Sequence, residues 1–143
     1  MVSQIMAAPP YSRREFLILS CVAVSSAMDP RFVFRSSDPH PTPRPGIDAS
    51  KVLKESEIDG DKDVVAAFKE VRQIPGIVDG IRCHCGCADH PDYYSLLTCY
   101  EGPQAMAQHC EECQGHGRYA FRLHKAGKSL DEIRAAIDDR YGS

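Results

Sequence analysis

Positive charge is nowhere in excess: 17 Lys and Arg stand against 20 Asp and Glu, for a net charge of -3. With no basic stripe to attract a polyanion, nucleic-acid binding is not expected. The six Lys and Arg residues from Arg118 to Arg140 are offset by Asp131, Glu132, Asp138 and Asp139, which reads as a solvated helical surface. No apolar run reaches the roughly 20 residues of a bilayer span. No alternation of apolar and polar residues marks a strand. H-E-x-x-H pairs, phosphate-binding glycine loops and Cys/His/Asn signatures are all missing, and Cys113 is followed by Gln114, so haem attachment is excluded. A hydrolytic enzyme is unsupported.

What is plentiful is sulfur and imidazole, with seven Cys and six His in 143 residues. Three of the cysteines lie on alternate positions in the stretch "IRCHCGCA", from Ile81 to Ala88. A packed core does not need that pattern.

The chain divides by composition into three parts. Residues 1–27 read as an export leader: Ser12, Arg13, Arg14, Glu15, Phe16 and Leu17 resemble a twin-arginine signal, and the apolar run from Phe16 ends in the small residues Ser25, Ser26 and Ala27. Cys21, in "ILSC", is an alternative lipidation site, although only Phe16 to Ser20 precede it as apolar region. Residues 28–48 carry Pro30, Pro39, Pro41, Pro43 and Pro45. They read as an extended linker, on which His40 is not expected to act as a ligand. Residues 49–143 form the Cys-rich domain.

Within that domain Asp61 or Asp63 caps a helix running through Gln73, with Val64, Val65, Phe68, Val71 and Ile74 as its apolar stripe and Pro75–Gly76 as its stop. The cysteine cluster is a loop, since it contains Gly86 and Pro91 follows. Tyr93 to Tyr100 predicts a short helix with Leu96 and Leu97 inward. Pro103 opens a long helix ending at Gly127, weakened at Gly115 and Gly117. Ser129 and Glu132 form a capping box for a last helix, whose face is Leu130, Ile133, Ala136 and Ile137. The expected fold is a small all-α domain of three to four helices with a Cys-rich loop and a thin core.

Six cysteines remain after the leader: Cys83, Cys85, Cys87, Cys99, Cys110 and Cys113. Three disulfides are one reading, because exported thiols meet an oxidising compartment. They would cross-link one short loop three times, since neighbouring C-x-C thiols do not readily bridge each other. Metal ligation uses the same residues with less strain. Cys110 and Cys113, at i and i+3, point from one helix face, and sulfur-rich ligation selects copper(I), zinc or, less favoured, an iron–sulfur cluster. His84, His90 and His109 are candidate additional ligands. His116 and His124 read as loop-facing and surface residues, and Glu111 and Glu112 as solvent-facing charges.

Residues from about Lys69 to Tyr141 resemble the bacterial PCYCGC-motif proteins, small exported or lipid-anchored proteins. The counterpart of the motif is "RCHCGC", with Arg82 and His84 in place of Pro and Tyr, followed by Cys99, "HCEEC" and "GKSLDEIRAAIDDRYG". The resemblance implies an extracytoplasmic, metal-binding domain. A weaker likeness to the CcmH-type thiol oxidoreductases of cytochrome c maturation rests on "IRCHC" and the same C-terminal segment. Its C-x-C spacing departs from that family's C-x-x-C.

The function expected is therefore that of a periplasmic or extracytoplasmic metal-binding protein for copper or zinc trafficking, storage or sensing, not an enzyme. Its partners would be the metal ion and an extracytoplasmic protein, and it would meet the membrane only through export or an anchor. A thiol-disulfide oxidoreductase and a structural subunit of a membrane-associated complex are the alternatives. Sulfur separations discriminate, since a disulfide needs about 2.05 Å, whereas tetrahedral thiolates around zinc stand about 3.5 to 4 Å apart.

Overall fold

The computed structural model describes residues 39–142; the leader, with Arg13, Arg14 and Cys21, lies outside the described residues. Those residues form an all-α fold with four α-helices: α1 (Lys62–Val71), α2 (Pro75–Val78), α3 (Glu111–Lys125) and α4 (Leu130–Tyr141). Short 3-10 turns at Glu55–Glu57, Cys87–Asp89, Leu96–Tyr100 and Met106–Gln108 connect them. No strand is found among the described residues; a single antiparallel bridge joins Val52 to Glu101.

The Asp61 carboxylate caps α1, accepting from the amides of Asp63 and Val64, and so satisfies donors that the first helical turn leaves free. The helix buries Val64, Ala67, Phe68 and Val71 and packs chiefly on α3. Phe68 meets Tyr100 edge-on, with ring centroids 4.8 Å apart. α4 begins with the predicted capping box, Ser129 Oγ accepting from the Glu132 amide while Glu132 accepts from the Ser129 amide, and it buries Ile133 and Ile137.

Two elements differ from expectation. Pro75 does not merely stop α1; it occupies the first turn of α2, where its missing N–H costs nothing. The long helix opens at Glu111, not Pro103, because Cys110 is extended (φ -115°, ψ 105°) and its sulfur accepts from the Cys113 amide. Gly115 and Gly117 lie inside α3 without breaking it. A Cβ at Gly117 would stand 2.7 Å from Val71 Cγ2 and closer still to Tyr100 Oη, so the glycine permits the close approach of α3 to α1.

The predicted linker is described from Pro39 onward, and that part is seated on the helices as a strap. Arg44 grips the buried Asp79 with its backbone amide (2.7 Å), Nε and Nη2 (2.6 Å to Oδ1). Arg134 donates to the carbonyls of Pro41 and Gly80, and Tyr94 Oη donates to the Thr42 carbonyl. Prolines cannot donate, but their carbonyls accept, and side chains from the folded domain supply the missing partners.

Candidate metal centre

Ile81, fully buried, follows α2 and accepts the Leu96 amide on its carbonyl at 2.8 Å. From there the chain turns into the cysteine loop. Gly86 takes the left-handed conformation (φ 83°) that leads into the Cys87–Asp89 turn, a geometry that a side chain would strain. An Arg82 Nη2–Asp89 Oδ1 pair at 2.7 Å clasps the loop across its base. Facing it, Cys113 stands on the first turn of α3, and Tyr100 Oη fixes that turn by donating to the Cys113 carbonyl at 2.6 Å.

Three sulfurs meet there. Cys83 Sγ is 3.0 Å from Cys85 Sγ and 3.6 Å from Cys113 Sγ, and the Cys85–Cys113 separation is 3.7 Å. None of the six described cysteines is disulfide-bonded. The two longer separations are those of thiolates sharing a zinc-sized ion, for which a 2.3 Å bond and tetrahedral angles give about 3.8 Å; the Cys83–Cys85 edge is the one that would open around it. The three sulfurs could thus hold a metal ion. Cys99, fully buried on the Leu96–Tyr100 turn, lies against both Cys83 and Cys113 and brings a fourth sulfur to their side of the group. Cys87 borders Cys85, and Cys110 caps α3, its sulfur accepting from the Cys113 amide.

The thiols share their ionisation. Contacts from Cys113 and Cys99 pull the Cys83 thiol far down, to about 2, against the burial that would raise it. Burial and the neighbouring Cys83 sulfur push Cys85 up. Contacts with Cys83 and Cys99, together with burial, push Cys113 up. One sulfur of the cluster carries negative charge readily and further ionisation is opposed by repulsion, which a bound cation would relieve.

Beside the thiols runs a chain of imidazoles. The Arg82 amide donates to His40 Nδ1 at 2.9 Å, so neutral His40 carries its proton on Nε2, 3.0 Å from Asp138 Oδ1. His84 Nε2 faces that same oxygen at 3.1 Å. The Glu112 carbonyl accepts from His116 Nδ1 at 2.6 Å, which leaves His116 Nε2 to accept from His84 Nδ1 at 3.2 Å. His116 is fully buried and stacks on Tyr141 at 3.9 Å. Burial pushes His116 and His40 below the ordinary imidazole range, in His40 against the pull of Asp138.

The predicted residues therefore sort into groups. Cys83, Cys85 and Cys113 converge, Cys99 lies against two of them, Cys87 adjoins Cys85, and Cys110 caps a helix. His84 supports the loop from its side. His90 is exposed and pairs with Asp92 at 3.3 Å, and His109 is also exposed; neither is brought to the sulfurs. His124 and the Glu111–Glu112 pair are exposed, as expected. His40, His116 and Asp138 were not expected here. Asp138 belongs to the charges that read as a solvated surface, yet two imidazoles meet its carboxylate, and Arg134 from the same helix is spent on the strap. His116 carried a faint signal: it lies three residues after Cys113, on the same helical face.

No family model matches the chain, and comparison with characterised proteins and with solved structures gave no match.

Proposed function

We propose that the protein binds a soft transition-metal ion, copper(I) or zinc, through Cys83, Cys85, Cys99 and Cys113, and that it works outside the cytoplasm in trafficking, storage or sensing of that ion. The observation that carries this reading is the meeting of three unbridged sulfurs, from a loop and a facing helix, at separations of 3.0 to 3.7 Å. A soft ion prefers thiolates to the oxygen ligands that magnesium or calcium would need. The burial of Cys83, Cys99 and Cys113 shields such an ion from water. Membership of the PCYCGC-motif family, proposed on Arg82 to Cys87 and the downstream cysteines, agrees with this role, as does the export leader proposed on Arg13, Arg14 and the apolar run after them.

Elemental mass spectrometry of protein purified without added metal tests the reading. At least one equivalent of copper or zinc is expected, and its loss when Cys83 and Cys113 become Ser. Metal-free protein whose six thiols pair as disulfides without loss of stability would falsify it.

One observation favours a second reading, a thiol-disulfide oxidoreductase. Cys110 and Cys113 form a C-x-x-C at the start of α3, with the Cys110 sulfur on the Cys113 amide at 3.5 Å; a helix N-terminus favours thiolate. That reading requires a reversible two-electron couple between those two residues, and the buried Cys113 sulfur faces Cys83 instead.

A further inference from the structure

The three converging sulfurs and Cys99 beside them are not equally placed. Cys83, Cys99 and Cys113 are 2%, 0% and 0% exposed, whereas Cys85 is half-buried and Cys87, beyond it, is half-buried too. The inner side of the loop is closed: Tyr100 backs the Cys113 turn, and the stacked His84, His116 and Tyr141 rings line the flank. The base is clasped by Arg82 and Asp89 and tied to the strap through the Arg82 amide and His40. At the outer turn the surroundings are open. Gly86 is exposed, and a Cβ there would find no atom within 4 Å. Cys87 and Cys85, both half-buried, line one sulfur-bearing approach to Cys83 and Cys113.

We infer that Cys87 is the entry ligand of the centre, taking the ion with Cys85 from a carrier that holds it on exchangeable sulfur or nitrogen ligands, before Cys83 and Cys113 replace it. This rests on the metal-binding reading above. The Cys87 sulfur borders Cys85, so an ion can bridge the two without leaving the loop, and the left-handed Gly86 between them turns the chain from Cys85 into the Cys87–Asp89 turn. The exchange is balanced without electron transfer. Each new sulfur–metal bond forms from a thiolate, a thiol that is still protonated releasing its proton to solvent as it binds; each carrier ligand leaves with its own electron pair and takes up a proton only where it is basic enough to hold one. The oxidation state of the ion is unchanged. Cys87 then differs from the buried sulfurs in kind: it governs the rate of loading, and they govern the affinity.

The test uses the full chain in reduced, metal-free form, with copper(I) supplied as its bicinchoninate complex and zinc as its pyridylazoresorcinol complex, both coloured. Equilibrium competition gives the affinity, and stopped-flow loss of colour gives the transfer rate. Cys87→Ser is expected to keep the wild-type affinity while transfer slows about tenfold; Cys83→Ser is expected to lose the affinity itself. Cys87→Ala serves as a second variant, and circular dichroism checks that each is folded. If Cys87→Ser and Cys87→Ala weaken equilibrium binding as much as Cys83→Ser, or load as fast as wild type, the entry role is wrong while metal binding stands. If wild-type protein draws neither ion from its complex, the metal-binding reading falls as well.

Discussion

His40 and Asp138, 98 positions apart in the chain, meet with Nε2 3.0 Å from Oδ1. The contact joins the Pro-rich strap to α4, and because the other His40 nitrogen accepts the Arg82 amide at 2.9 Å, the same ring holds the entrance of the cysteine loop. His40→Ala removes both bonds and leaves the Arg82 amide without its acceptor. The expected loss is about 1–2 kcal/mol in urea unfolding. If the centre is loaded, metal affinity should fall about tenfold, the usual effect of removing a residue that orients a ligand-bearing segment. Unchanged affinity together with reduced stability would limit His40 to a structural role.

The physical reasons for what sequence reasoning saw and missed are visible at this contact. Elements specified by near neighbours were legible: the Asp61 cap, the Ser129–Glu132 box, the apolar faces of α1 and α4, and the inward Leu96 and Leu97. The convergence of the loop thiols with Cys113 followed from their number and chemistry. The strap was not legible, because nothing in "PHPTPRPGID" reveals that Arg134, Tyr94 and Asp79, all distant in sequence, satisfy its backbone and side chains. The start of α3 was misplaced because Pro103 is a strong local signal, whereas capping by the Cys110 sulfur depends on the thiol's orientation. Asp138 looked like one charge among several until folding set two imidazoles on it.

Asp79 gives a pH-dependent test of the strap. Burial alone would raise its carboxyl, but the hydrogen bonds from Arg44 and Ser95 hold it below the ordinary carboxylate range. A carboxyl depressed on folding contributes stability that is fully present above its unfolded value of about 3.9 and is lost as pH falls through the lower folded value. Asp79→Ala should destabilise by about 2 kcal/mol at pH 7, less than for a fully buried pair because Arg44 is 36% exposed. Urea unfolding at neutral and acid pH checks this: the gap between wild type and variant should narrow in acid, and a constant gap would contradict the assignment.

Gly117 tests the fit of α3 against α1 and Tyr100. In an exposed helix Gly→Ala stabilises by about 1 kcal/mol. Here the new methyl would crowd Val71 Cγ2 and Tyr100 Oη, which is itself committed to the Cys113 carbonyl. Gly117→Ala should therefore destabilise, by about 1–3 kcal/mol, and disturb the turn bearing Cys113. Thermal melting compared with Gly115→Ala, where a Cβ would meet the Tyr141 hydroxyl at 3.2 Å, separates crowding from propensity: the Gly117 variant should melt lower than the Gly115 one.

Metal removal supplies the test that links the thiols to the fold. The sulfurs come from three segments: the loop after α2, the turn at Leu96–Tyr100 and the start of α3. An ion held by all three binds the folded chain more tightly than the unfolded one, and it stabilises the fold by up to about 2.7 kcal/mol at a hundredfold excess over its dissociation constant, less whatever affinity the unfolded thiols keep. The melting temperature should rise on adding copper(I) or zinc to reduced protein and return to its starting value with excess chelator. Because thiols must release protons to bind, the rise should be smaller in acid than at neutral pH. Cys113→Ser should abolish the shift, since it removes the one α3 sulfur that faces Cys83 and Cys85, whereas Cys110→Ser should retain it. A shift lost equally in both variants would mean that the ion sits on the C-x-x-C pair and not on the Cys83–Cys85–Cys113 group.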